Sequence, residues 1–167
     1  ISVWPEFYGF TSPTKIHKYR FQWTFPIEIS PHNPDKLYTC SNYVHVSYDE
    51  GASWEVISPD LTRNDPAHQE HSGGPISSEN VGAEAYGTIF AFKESPHEVG
   101  VLYAGSDDGL MYISKDGGQN WDSITPPEDL LPNPPEQPAR ISTIDVSPHK
   151  PGTVYVAANR YQHDDPS

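Results

Sequence analysis

The side chains best equipped for chemistry in this 167-residue chain are carboxylates with arginines for company. Asp107 and Asp108 are adjacent, Asp65 and Glu84 stand upstream, and Arg63 and Arg140 carry permanent positive charge. Two carboxylates flanking a glycosidic bond can work as acid and base, or as acid and nucleophile. The same groups can instead hold a polar ligand, since a carboxylate accepts hydrogen bonds and a guanidinium offers a planar fork of donors. Nothing in the sequence pairs the carboxylates for catalysis, so no catalytic residue is assigned. Arg63, Glu84, Asp107, Asp108 and Arg140 stand as ligand-binding candidates. A structural role competes for each of them. Asp107-Asp108-Gly109 is also good hairpin-turn chemistry, and Arg20, Glu84, Tyr86 and Arg140 could serve local turns and ion pairs.

Other chemistries find less support. His68 and His71 flank Glu70 at a spacing that suits two metal ligands on a turn, but no third ligand accompanies them. There is no Asp-x-Asp-x-Asp-Gly calcium loop, no Gly-rich phosphate loop and no Gly-x-Ser-x-Gly nucleophile elbow. Neither a metal nor a cofactor is assigned. The single cysteine, Cys40, falls on an expected strand and reads as a buried thiol rather than part of a disulfide framework. A net charge of −13 argues against a nucleic-acid partner. No run approaches the ~18 apolar residues of a membrane span. No signal peptide is visible. Ile1 is a poor natural start, so the chain is expected to belong to a longer protein.

The elements that must position these residues read as strands. Eighteen prolines and twelve glycines punctuate short apolar runs, the mark of many strands and turns. Ser47-Tyr48-Asp49-Glu50-Gly51-Ala52-Ser53-Trp54 and Ser114-Lys115-Asp116-Gly117-Gly118-Gln119-Asn120-Trp121 share the pattern Ser-x-Asp-x-Gly-x-x-Trp. Each lies between two strand-like runs and so forms a hairpin turn. Asp and Ser bond back to turn N–H groups, Gly supplies a positive φ, and Trp drops its ring onto the apolar layer. Trp54 and Trp121 are expected to be largely buried.

A second motif, Ser-Pro-His, occurs at Ser30-Pro31-His32, Ser95-Pro96-His97 and Ser147-Pro148-His149. Each copy follows one strand-like run and precedes another, and the histidines are expected to bond their own turn backbones. One full unit reads strand A, Ser-Pro-His turn, strand B, short turn, strand C, Ser-x-Asp-x-Gly-x-x-Trp turn, strand D. That is a four-stranded antiparallel meander, the build of a propeller blade. Alternation places the B–C turns and the D–A linkers on one face. The ligand-binding candidates therefore share that face, where the long loops lie.

The octapeptides resemble the Asp-box, or BNR repeat, of β-propellers. The stretches Lys18 to Ile27, Trp54 to Asp65, Gly105 to Leu110 and Trp121 to Pro127 are similar to bacterial sortilin-like BNR-repeat proteins labelled "glycosyl hydrolase". The resemblance implies an all-β fold of propeller blades, incomplete within this segment. It implies a structural role for Ser47, Asp49, Gly51, Trp54, Ser114, Asp116, Gly118 and Trp121, away from the ligand face. It also implies a secreted, periplasmic or cell-surface location. The hydrolase label rests on fold analogy, which does not establish activity. The preferred expectation is a binding or scaffold module for a protein, peptide or glycan. The alternative is a glycoside hydrolase whose acid and base lie partly outside the segment. The partners expected are further blades, of the same protein or of a larger assembly.

On this reading the chain divides into the end of a preceding blade plus a loop (1–20), a blade with the first Asp-box (21–58) and a long inter-blade loop (59–86). A blade with the second Asp-box (87–126), a Pro-rich inter-blade loop (127–140) and the first half of a further blade (141–167) follow.

Overall fold

A computed structural model describes residues 3–4, 13–70 and 85–160. The described chain is all-β apart from two short 3-10 turns, at Thr14–Ile16 and Pro66–His68. The first sheet runs β1 (Ile27–Ile29), β2 (Leu37–Cys40), β3 (Val44–Ser47) and β4 (Glu55–Val56), neighbours pairing in chain order and antiparallel. The second repeats it with β5 (Ile89–Glu94), β6 (Leu102–Ser106), β7 (Met111–Ser114) and β8 (Asp122–Ser123). The third is a pair, β9 (Arg140–Val146) with β10 (Val154–Asn159). None of these sheets closes on itself. Val3 and Trp4 lie in a bend. No helix among the described residues is long and apolar enough to cross a membrane.

The sheets pack face to face in chain order. Tyr38, Cys40, Val44 and Val46 of the first sheet meet Ile89, Phe92, Leu102 and Ala104 of the second. The other face of the second sheet, with Ala91, Tyr103 and Met111, meets Ile141, Ile144 and Val146 of β9. Both β5 and β9 carry a bulge, at Phe90 and Ser142, where one extra residue opposes a single partner on the next strand. The extra residue resets the alternation, so Ile89 and Phe92 share a face, as do Ile141 and Ile144. At Gly105 a β-carbon would stand 2.4 Å from Ile141 Cγ2, so only glycine lets the second sheet and β9 approach this closely. Fully burying one of these large apolar side chains stabilises by roughly 1.5–3 kcal/mol.

The repeated turns owe their shape to their own side chains. Asp49 Oδ1 accepts from Ser53 N at 2.8 Å and Asp116 Oδ1 from Asn120 N at 2.9 Å. Ser47 Oγ and Ser114 Oγ accept from Gly51 N and Gly118 N at 2.8 and 2.9 Å. These bonds hold the Asp49 carboxyl down at about 2, chiefly through the Ser53 hydroxyl, and Asp116 at about 2 through the Asn120 amide. Trp54 and Trp121 are half-buried, less than expected, because β4 and β8 are two-residue strands at the outer edge of each sheet.

The Ser-Pro-His turns hold a correction. Within each turn the Ser hydroxyl accepts from the His N–H, at 3.2, 3.2 and 3.3 Å. The imidazoles, however, do not bond their own turns. His32 Nε2 donates to the carbonyl of Ser95 at 2.7 Å, and His97 Nε2 to that of Ser147 at 2.9 Å. His32 and His97 thus each tie their sheet to the next.

Candidate functional site

The B–C turns and inter-sheet linkers do converge on one side of the molecule, and the network there is dense. It is built on Asp60, Asp107 and Asp108. Asp60 opens the first linker in an Asx-type turn, its Oδ1 accepting from Thr62 N at 3.0 Å and Thr62 Oγ1 at 2.6 Å. Its Oδ2 accepts from Arg20 Nη2 and from Asn42 Nδ2, both at 2.8 Å. Arg20 also donates Nε–H to the Gly87 carbonyl at 2.9 Å. One guanidinium thus joins the entry to the first sheet, the first linker and the entry to the second sheet.

Asp107 and Asp108 point to different places. Asp107 Oδ1 accepts from Gly87 N at 3.0 Å and Thr88 N at 2.8 Å, while Oδ2 accepts from Thr88 Oγ1 at 2.9 Å. Asp108 Oδ1 accepts from Ser106 Oγ, and Oδ2 from Arg63 N at 2.7 Å. Both carboxylates are buried, at 3% and 1% exposure. Burial raises the Asp107 carboxyl to about 7, the neighbouring Asp108 adding to the rise and the Thr88 bonds opposing it. Burial also raises Asp108, against the Ser106 and Arg63 bonds. The phenol of Tyr86, which these two carboxylates face, is pushed up by burial and by their charge.

The arginines are equally occupied. Arg63 donates Nε–H to the Asp108 carbonyl at 2.8 Å and Nη2–H to the Asn133 carbonyl at 3.0 Å. Asn133 in turn donates to the Gly109 carbonyl at 2.7 Å and accepts from Ala139 N at 3.0 Å. The guanidinium of Arg140 lies 4.8 Å from the ring centre of Phe90, the bulged residue of β5. Glu84 and His71 lie outside the described residues. His68 Nδ1 sits 3.1 Å from Asp65 Oδ2, both partly exposed. No group of three or more His, Cys, Asp or Glu placed to hold a metal occurs among the described residues.

The structure therefore brings Arg63, Asp107 and Asp108 together, with Asp60, Asn42, Thr88 and Asn133 completing the network. Asp60 and Asn133 were not singled out from the sequence. The Asp-x-Thr spacing of Asp60 and Thr62 was the signal for the first, whereas Asn133 sits in a Pro-rich run with no local pattern. Cys40 is buried, which raises its thiol well above the usual range.

Chemically, the described carboxylates of this network are spent on holding loops. Asp107 makes three bonds to the backbone and hydroxyl of residues 87 and 88, and Asp60 makes four. A separate open groove of about 400 Å³ lies between the end of β4 and the second Ser-x-Asp-x-Gly-x-x-Trp turn, lined by Val56 to Pro59 and Gly117 to Gln119. Compared with known proteins, the sequence matches no family model and no curated protein.

Proposed function

We propose that the chain is part of a sortilin-like BNR-repeat propeller and acts as a binding or scaffold module for an extended protein, peptide or glycan. In this reading the two four-stranded sheets and the β9–β10 pair are blades, and the Ser-x-Asp-x-Gly-x-x-Trp turns are Asp-boxes. One observation carries the preference for binding over catalysis. Asp107 and Asp108, the adjacent carboxylates best suited by type to acid–base work, are buried and hydrogen-bonded to the backbone of the linkers. Such carboxylates fix the loops into a defined surface, which preorganises a binding face. The location that fits this reading is secreted, periplasmic or on the cell surface.

One observation favours the glycoside hydrolase alternative. Asp107, raised to about 7, holds a proton near neutrality as a general acid does. The discriminating experiment is a glycan-hydrolysis screen run beside glycan- and peptide-array binding, on the parent chain and on Asp107→Asn, Asp108→Asn and Glu84→Gln. The binding reading expects measurable affinity and no turnover. Turnover abolished by one of these substitutions, with substrate binding retained, overturns it.

A further inference from the structure

The two Ser-x-Asp-x-Gly-x-x-Trp turns differ in the residue that follows the aspartate. Glu50 stands there in the first turn and Gly117 in the second, both at positive φ, +58° and +76°. The second turn therefore contains an Asp-Gly bond, and Asp108-Gly109 is the other in the chain. An Asp-Gly bond can rearrange without an enzyme, because glycine carries no side chain to hinder the backbone as it folds back on the aspartate. The glycine nitrogen attacks Cγ, the carboxyl hydroxyl leaves as water with the amide proton, and a cyclic imide forms. Water then reopens the ring at either carbonyl. One opening restores aspartate. The other leaves isoaspartate, with the chain running through the side-chain carbon and no net change in mass.

The two Asp-Gly bonds are closed in different ways. Asp108 is 1% exposed, its carboxylate bonded to Ser106 Oγ and Arg63 N, and a β-carbon at Gly109 would collide with Asn133. No ring fits there while the fold stands. Asp116 is exposed, and no heavy atom beyond the chain neighbours lies within 4 Å of the place a β-carbon on Gly117 would take. Space is available, and hydrogen bonds hold the reacting atoms apart. Oδ1 accepts from Asn120 N and Ser114 Oγ, both at 2.9 Å, and Oδ2 from Asn120 Nδ2 at 2.7 Å. The Gly117 N–H, which carries the attacking nitrogen, donates to the Gly100 carbonyl at 2.9 Å. The Asn120 side chain, ahead of the other donors, keeps the carboxyl down at about 2, so the protonated form that can lose water is scarce.

We infer that Asp116-Gly117 is a site of self-modification to isoaspartate, latched by Asn120 and released by opening of this one turn rather than of the whole fold. An opening confined to one exposed turn costs less than global unfolding. The first turn is spared, since Glu50 sets a substituted α-carbon beside the nitrogen that would attack. The effect of the modification reaches beyond the second turn. A backbone lengthened by one carbon cannot return Oδ1 to Asn120 N. The same turn holds Gly118 against the Ile57 carbonyl, to which Trp121 donates its Nε1–H. Isoaspartate at position 116 therefore loosens the joint between the first and second sheets.

Ageing the whole chain in heavy-oxygen water, with peptide mapping by mass spectrometry, tests this, because each ring opening leaves a heavy oxygen on the residue involved. In the folded parent chain Asp116 should gain label slowly, and Asp49 and Asp108 none over the same period. Asn120→Ala removes the donor to Oδ2. It should speed labelling at Asp116 by about tenfold or more, the effect on turn opening of losing a hydrogen bond to a charged group, and leave Asp108 unlabelled. Asn120→Ser should restore the slow rate, since Ser53 Oγ holds Asp49 Oδ2 in the same way at 2.6 Å. If Asn120→Ala does not fold, Glu50→Gly, at an exposed position, transfers the chemistry to the first turn, and Asp49 should then take up label. Labelling that rises together at Asp116 and Asp108 overturns the inference, because whole-chain unfolding is then the route. So does a folded Asn120→Ala chain that labels no faster than the parent, or an unlabelled Asp49 in Glu50→Gly.

Discussion

Trp121 donates its indole Nε1–H to the carbonyl of Ile57, 3.0 Å away at the end of the preceding sheet. The same N–H also reaches the Gly118 carbonyl of its own turn at 3.1 Å. Trp54, its counterpart in the first sheet, donates only within its turn, to Gly51 at 3.1 Å. The second turn is thus a joint between sheets as well as a hairpin. Gly118 permits this contact, because its φ is +100° and a β-carbon there would stand 2.6 Å from the Ile57 oxygen.

Trp121→Phe should therefore destabilise the chain more than Trp54→Phe. The difference expected is about 1 kcal/mol, the net contribution of one hydrogen bond. Urea denaturation of the two variants measures it, and equal losses would assign Trp121 a purely local role.

Asp107 gives the fold a pH dependence of definite sign. Its folded-state carboxyl is raised to about 7 from an ordinary 3.8. The folded chain consequently binds more protons than the unfolded chain between those values, so stability falls as pH rises through 7. Asp107→Asn keeps an acceptor for Gly87 N and Thr88 N but carries no charge. It should stabilise the fold at pH 8, by a few kcal/mol at most, and the gain should vanish below about pH 4. His45 works in the other direction. Burial lowers its imidazole to about 4, so its contribution is complete above the usual 6.5 and is lost as pH falls through 4. Thermal melts from pH 4 to 8 on the parent and Asp107→Asn chains separate the two effects.

What was legible in the sequence was whatever a few consecutive residues decide for themselves. The Asp49 and Asp116 turns close through bonds spanning four residues, and their chemistry can be read from the octapeptides. The partner of His32 could not be read in this way, because the Ser95 carbonyl is 63 residues along the chain. Position in a repeat told which residues share a face, and so grouped Arg63 with Asp107 and Asp108. It did not tell that these groups are buried. Burial depends on how the linker from Ser58 folds back over Asp108, and on Asn133 closing from the opposite side.

The inter-sheet histidines offer a graded comparison. His32→Ala and His97→Ala each remove one bond between sheets and should cost about 0.5–1.5 kcal/mol. His149→Ala should leave the stability of the chain unchanged, because its ring bonds nothing among the described residues. A loss at His149 matching the other two would mean that the imidazole acts within its own turn.

Arg63 is the residue through which the two linkers share one geometry. Its side chain donates to the Asp108 carbonyl through Nε and to the Asn133 carbonyl through Nη2, two acceptors set apart by the width of a guanidinium. A lysine ammonium is a point donor on a flexible stem and cannot reproduce that fork. Its backbone N–H would still hold Asp108 Oδ2, so the first linker should keep its place at the turn. The second linker has no such backup at Asn133 from this residue. Arg63→Lys should accordingly loosen residues 127–139 more than residues 58–63. The expected total loss is roughly 1–3 kcal/mol, as for hydrogen bonds made by a charged group. Limited proteolysis at neutral pH should show faster cleavage in the second linker, and amide exchange at Ala139, whose N–H bonds Asn133, should quicken with it. Faster exchange confined to the first linker would show that Arg63 holds its own loop and leaves the second linker unaffected.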